Sequence, residues 1–261
     1  MTLFLHEIKR NKISLIVWSA VLSFMLAVCV FIYPEMQTQM GDIGAMFSDM
    51  GAFSDAFGMD QLNFGEFMGY FGIECANTLG LGGALLAAIV GIGALAKEER
   101  DGTSEFLLTL PISRVRVVSE KLLFSAFHIV AVNAAVILIT SVSIVAIDVE
   151  VNVGQLALIF LTHLIMQLEI MAITFGISAY IKRGGLGIGL GIAFGFYFVN
   201  IVANLTDALE FLSYLTPFGY ADSGYILENS SVEPISLIIG LALSALGIFA
   251  AYKIYTEKDI A

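Results

Sequence analysis

Six long apolar runs constrain this chain more than any other feature of its sequence. Residues 13–33 run 21 positions without a charged side chain, 75–96 run 22, 122–147 run 26, 184–206 run 23 and 235–252 run 18. A further run, 151–181, is broken only by Glu169. A helix crosses the roughly 30 Å hydrocarbon layer of a bilayer in about 20 residues. It does so because its backbone satisfies itself, where an unpaired amide in lipid is too costly. Charged residues make up 13% of the chain, against about 25% in soluble domains. The fold expected is all-α and integral to the membrane. Its six transmembrane helices fall at about 13–33, 72–96, 117–147, 153–181, 185–206 and 234–255, in a single domain over 1–261.

The positions of the basic residues fix an expected orientation. All twelve lie before the first run, after the second, after the fourth, or at and beyond the end of the sixth: Lys9, Arg10, Lys12, Lys97, Arg100, Arg114, Arg116, Lys121, Lys182, Arg183, Lys253 and Lys258. Six spans put every one on the same side. Since Lys and Arg stay cytoplasmic, both termini are expected in the cytoplasm of a bacterial or archaeal cell, with the chain in its cytoplasmic membrane. The first run is too long for a secretory h-region of about 7–15 residues. Thirteen of the 23 acids fall on the outer side, among them Asp42, Asp148 and Glu233. The net charge of −11 then reflects this sorting and gives no support to nucleic-acid binding. Cys29 and Cys75 both lie toward the outer half. They read as packing residues, with a disulfide as the alternative.

Two outer connections are long. In 34–71, Met46, Phe47, Met50, Phe53 and Phe57 recur at helical spacing with Asp42, Asp49 and Asp55 between them. That pattern suits an amphipathic cap or gate on the outer surface. In 207–233 the apolar pieces are too short to span and Pro217 breaks them, which suits re-entrant or interfacial helices.

The loop at 97–116 is short and highly charged. Asp101-Gly102 signals a turn, and Thr103 suits the N-cap of a helix over 104–110 with Phe106, Leu107 and Leu110 on its apolar face. Pro111 stops that helix, and Ser113 suits the N-cap of the third span. An apolar-faced helix of this kind either rests in the membrane interface or fills a groove on a partner.

The run KEERDGTSEFLLTLPISR, with Lys121 after it, resembles the intracellular loop of the type-2 ABC exporter permeases. So do the six spans, the long first outer loop, the TPFGYAD stretch at 216–222 and the charged tail YTEKD at 255–259. The long first outer loop is similar to that of a polyketide-antibiotic-exporter-like or nitrous-oxide-accessory-like branch. The resemblance implies that 97–116 carries a coupling helix docking on a separate cytoplasmic ABC ATPase, present in two copies. It assigns contact or positioning roles to Glu98, Glu99, Arg100, Thr103, Glu105, Phe106, Leu107 and Pro111. It makes the stretch with His6, Glu7, Lys9 and Arg10 a short elbow helix. It also implies a second permease chain, most simply a homodimer, and ATP with magnesium bound by the ATPase. No cofactor is expected in this chain.

Competing chemistries lack their residues. No P-loop occurs, and the glycine-rich run after Lys182 does not match Gly-x-Gly-x-x-Gly. Gly185, Gly187, Gly189, Gly191 and Gly195 instead form interleaved small-x-x-x-small pairs, suited to close helix approach. No His-Glu-x-x-His or Gly-x-Ser-x-Gly is present, so the chain is not expected to be an enzyme. His128 and His163 read as packed histidines. Glu169, mid-span, is the costly residue. It suits a wall of a translocation path together with His163, Asn133 and Asn200, or a hydrogen bond to Asn133 or Ser141. Glu74 suits a cap at the start of the second span. The alternative to the permease is a six-span secondary transporter or channel in which Glu169 couples an ion and no ATPase takes part.

Overall fold

A computed structural model describes residues 2–37, 66–100, 112–181 and 185–257. The expected coupling helix at 104–110 and most of the first outer loop lie outside these residues. The described chain contains six helices long and apolar enough to cross a membrane, and no strand.

Helix α1 (Thr2–Gln37) is continuous. Neither Gly nor Pro occurs before Pro34, so nothing interrupts the backbone between the charged start and the apolar run. This corrects the expectation of a separate elbow helix. At 1.5 Å per residue α1 is about 54 Å long, well beyond the hydrocarbon layer. The second span begins at α2 (Phe67–Cys75), passes through a π-helical stretch at Ala76–Gly82 and continues as α3 (Gly83–Arg100). Glu74 is therefore inside a helix and caps nothing. It accepts a hydrogen bond from Cys29 Sγ at 3.2 Å, and both cysteines are free thiols.

Helix α4 (Arg114–Ala146) starts where Ser113 accepts the Arg116 amide at 3.3 Å. Asn152 caps α5 (Val153–Ser178), its Oδ1 accepting from Gly154 and Gln155. Helix α6 (Leu186–Asn204) follows. Two short 3-10 helices (Asp207–Leu215 and Gly219–Ala221) and α7 (Ser223–Asn229), capped by Asp222, fill the interval before the last span. Glu233 then caps α8 (Pro234–Glu257) through the amides of Ile235 at 3.1 Å and Ser236 at 2.6 Å.

Helix α5 is the centre of the bundle, packed between α3 and α8, while α1 lies along α4. About 61% of the α5 span window is buried, against 17% for α6 and 22% for each of α1 and α8. Helices α1, α6 and α8 thus offer most of the lateral apolar surface. Helix α5 crosses α8 closely: a Cβ added to Gly176 would stand 2.5 Å from the Gly247 carbonyl oxygen. Hydrogen bonds from Phe4 to Glu120, Lys97 to Asn11 and Arg114 to Thr256 gather the start of α1, the end of α3, the start of α4 and the end of α8 at one end of the bundle. This is the basic end.

Candidate functional site

The basic end is held by a polar network around the ends of the 97–116 loop. Lys121, one helical turn and more inside α4, is only 2% exposed. Its Nζ donates to the Ala94 carbonyl at 2.7 Å and stands 3.4 Å from Glu7 Oε1. The Ala94 carbonyl oxygen and the carboxylate replace the water that a buried ammonium loses. Glu7 also accepts from Asn11 Nδ2 at 2.9 Å, and Asn11 Oδ1 accepts from Lys97 at 3.3 Å. Glu7, Asn11, Lys97 and Lys121 therefore join α1, α3 and α4 at the point where the loop leaves α3 and re-enters α4.

Outside this buried set, Glu120 ties the same corner from the surface. It accepts from the Phe4 amide at 3.0 Å and from Arg116 Nε at 2.8 Å, the latter an i,i+4 pair. On the far side of α4, Arg114 donates to the Thr256 carbonyl at 3.2 Å, and the Ser119 and Tyr252 hydroxyls lie 2.7 Å apart. The loop thus returns into a helix whose first two turns are fixed to both α1 and α8. Lys121 belongs to the resembling run, but its partner Glu7 was missed. The available signal was a lone acid among the bases of HEIKRNK.

A cavity of about 320 Å³ sits beside this network, lined by Glu7, Asn11, Lys97, Lys121, Ser125 and His128 along with apolar side chains. Of the contact residues expected in the loop, Thr103, Glu105, Phe106, Leu107 and Pro111 lie outside the described residues. Glu98, Glu99 and Arg100 form the last turn of α3.

The four residues expected along a path separate into three places. Asn133 donates to Gln167 Oε1 at 2.6 Å, and Gln167 Nε2 donates to the Leu79 carbonyl within the π-helical stretch at 2.9 Å. Asn133 is therefore committed to Gln167, which corrects its expected bond to Glu169. Glu169, 3% exposed, faces α8 instead. Its carboxylate fills the space a Cβ on Gly240 would take and stands beside the Tyr220 hydroxyl. His163 and Asn200 do come together, lining a small cavity of about 60 Å³ toward the opposite end with Asn77, Tyr197, Asn204 and Asp222. His163 Nδ1 pairs with the Ile159 carbonyl of its own helix at 2.8 Å.

Six apolar helices with a loop anchored at both its ends narrow the reading to a membrane protein built around that loop. A family model described as ABC-2 family transporter protein matches residues 1–260. The chain belongs to that family. It is a multi-pass membrane protein and the permease component of an ABC transporter, a transport subunit that works in lipid with an ABC ATPase. No curated protein matches it closely enough to count as a relative. Among the described residues, no cluster of His, Cys, Asp and Glu suits a metal ion.

Proposed function

We propose that this ABC-2 permease is the membrane half of an exporter that moves an amphipathic or hydrophobic solute outward. It works as a homodimer on two copies of a cytoplasmic ATPase, with the basic end and both termini in the cytoplasm. The observation that carries the reading is the double anchoring of the loop flanks. Lys97 and Lys121 hold α3 and α4 to α1, and Arg114 and Ser119 hold α4 to α8. A force applied to a helix at 104–110 would reach three spans through bonds rather than through a slack linker. The sorting of basic residues supports the orientation. The shallow burial of α6 and the open space beside Gly187, Gly191 and Gly195, one row at helical spacing, support a second permease chain packing there.

A charge reversal in the loop tests the reading. In Glu105→Arg at normal protein level, solute transport and solute-stimulated ATP hydrolysis are both expected to fall at least tenfold. Transport that continued unchanged would remove the coupling role. A second reading rests on Glu169, a buried carboxylate at mid-span set between Gly240 and the Tyr220 hydroxyl. An ionisable group so placed marks ion pathways in secondary transporters. If Glu169→Gln leaves transport intact, that reading is lost.

A further inference from the structure

The cavity of about 60 Å³ lies at the end of the bundle opposite the basic one. One wall is the π-helical stretch, through Asn77 and Gly80, and the others come from α5, α6 and the segment 216–222. His163 is 1% exposed, and its Nδ1 donates to the Ile159 carbonyl at 2.8 Å. That bond puts the proton of the neutral ring on Nδ1 and leaves the Nε2 lone pair as an acceptor. Nε2 is directed at Gly80, where an added Cβ would stand 3.7 Å from it and 3.8 Å from Phe218 Cε1. Gly80 and Phe218 both line the cavity, and Nε2 is open to it rather than sealed in the core. Among the described residues Nε2 makes no hydrogen bond, and neither do the side-chain amides of Asn200 and Asn204 or the Tyr197 hydroxyl. Polar groups this deep in a fold are almost always satisfied, and here the fold supplies half of what His163 needs.

The lining is rich in acceptors. Asp222 is part of it, and while its Oδ1 accepts the Tyr225 amide at 2.8 Å, its charge stays at the cavity wall. No Lys or Arg occurs in 13–96, 122–181 or 184–252, so none of the elements that build the cavity carries one. Tyr197 and Phe218 add an aromatic pair, ring centroids 5.6 Å apart, of the kind that attracts a cation. The volume is several times the roughly 10–15 Å³ that one water needs and far below the roughly 300 Å³ of a small whole-ligand site. It suits a head group whose remainder stays outside, past the exposed Asn77. We infer that this cavity binds a primary ammonium group. His163 Nε2 and the Asn200 and Asn204 amide oxygens accept its N–H groups, Asp222 supplies the countercharge, and Tyr197 and Phe218 enclose the attached methylene. A metal ion would need a third strong ligand beside His163 and Asp222, and no such cluster occurs among the described residues. On the exporter reading, on which this step rests, the ammonium is the head group of the solute.

The test is binding to the purified full chain in neutral detergent, without ATP or an ATPase, so that failure of the site and failure of nucleotide coupling are read separately. The probes share one apolar body: phenethylammonium, its trimethylammonium analogue, phenethyl alcohol and hydrocinnamate. Binding is followed by saturation-transfer NMR and by melting temperature. Phenethylammonium is expected to bind saturably and raise the melting temperature, and the other three, which lack the charge or the N–H groups, to bind about tenfold more weakly or worse. Asp222→Asn keeps a cap oxygen for Tyr225 and removes the charge. It and His163→Phe are each expected to weaken phenethylammonium about tenfold, the size of one charge-assisted bond. Gly80→Ala places a methyl at ordinary contact distance from His163 and Phe218. It is expected to weaken the probe severalfold without lowering the melting temperature of the ligand-free protein, which separates loss of space from damage to the fold. Glu228→Gln, at an exposed acid outside the lining, is expected to change nothing. Retention of phosphatidylethanolamine over phosphatidylcholine in native mass spectrometry, lost in Asp222→Asn, would support the site and assign the ammonium to a lipid instead of a solute. Equal binding of the four probes, or unchanged phenethylammonium affinity in both Asp222→Asn and His163→Phe, would overturn the proposal.

Discussion

Gln167 and Glu169 are two residues apart on α5, and this spacing decides what each one meets. Two residues advance an α-helix by about 200°, so the side chains leave on opposite faces. Gln167 faces Asn133 and Leu79, while Glu169 faces Gly240. The sequence showed a polar cluster at mid-span and named its members. It did not show the rotation of α5 against its neighbours, which assigns Asn133 to Gln167 rather than to Glu169. Interhelical hydrogen bonds in membranes are modest, about 0.6 kcal/mol on average and up to about 1.7. A double-mutant cycle of Gln167→Leu and Asn133→Leu, read by unfolding in mixed micelles, is expected to give a coupling near the top of that range. The reason is that the bond to the Leu79 carbonyl fixes the Gln167 amide, so little orientational freedom is lost when Asn133 pairs with it. A cycle of Glu169→Leu and Asn133→Leu is expected to give none.

At the scale of elements, the cap at Ser113 was legible, while the cap expected at Glu74 and the helix crossings were not. Ser113 announced the start of α4 because the chemistry of an N-cap is local. Residues 2–12 were expected to break into an elbow, yet they hold no residue that stops a helix, so α1 runs through. Glycines misled in a different way. The interleaved row of α6 drew attention, but only Gly185 and Gly189 meet α3, while the close approach of α5 and α8 uses Gly176 and Gly247. Glycines this far apart, Gly154 and Gly176 on α5 and Gly240 and Gly247 on α8, give no Gly-x-x-x-Gly signal, and their meaning depends on which helix stands opposite. Gly247→Val is expected to force α5 and α8 apart and to destabilise the protein by about 1–3 kcal/mol. Gly195→Val, on the open face of α6, is expected to leave monomer unfolding unchanged. Both are read by the same micelle unfolding assay.

The start of α8 gives a pH dependence at this scale. Partial burial pushes the Glu233 carboxyl up, but the amides of Ile235 and Ser236 and the Ser236 hydroxyl outweigh it and hold it below the usual carboxylate range. A carboxyl with a lowered value in the folded state stabilises above its unfolded value. It loses that contribution as pH falls through the folded one. The cap is thus expected to be fully effective above about pH 4.5 and to fail in more acidic solution. Glu233→Gln should flatten the acid limb of a stability profile and leave it unchanged in slope near neutrality. An unaltered acid limb would mean that the carboxylate does not hold the end of α8.

For the whole molecule, the helix count followed from the apolar runs, because lipid leaves so few ways to satisfy a backbone. The path of force was less legible. The resemblance marked the loop at 97–116, but the residues that brace it come from the two ends of the chain, Phe4 and Glu7 on one side and Tyr252 and Thr256 on the other. No local pattern joins positions more than a hundred residues apart. This brace is proposed to receive an ATPase. The direct measurement is purification of the tagged chain from its native membranes in mild detergent, with identification of co-purifying proteins and an assay of ATP hydrolysis. A P-loop ATPase at one copy per permease chain is expected, lost when Phe106 and Leu107 are both changed to Asp. A chain that purifies alone and folded, with no ATPase under any mild condition, would contradict it.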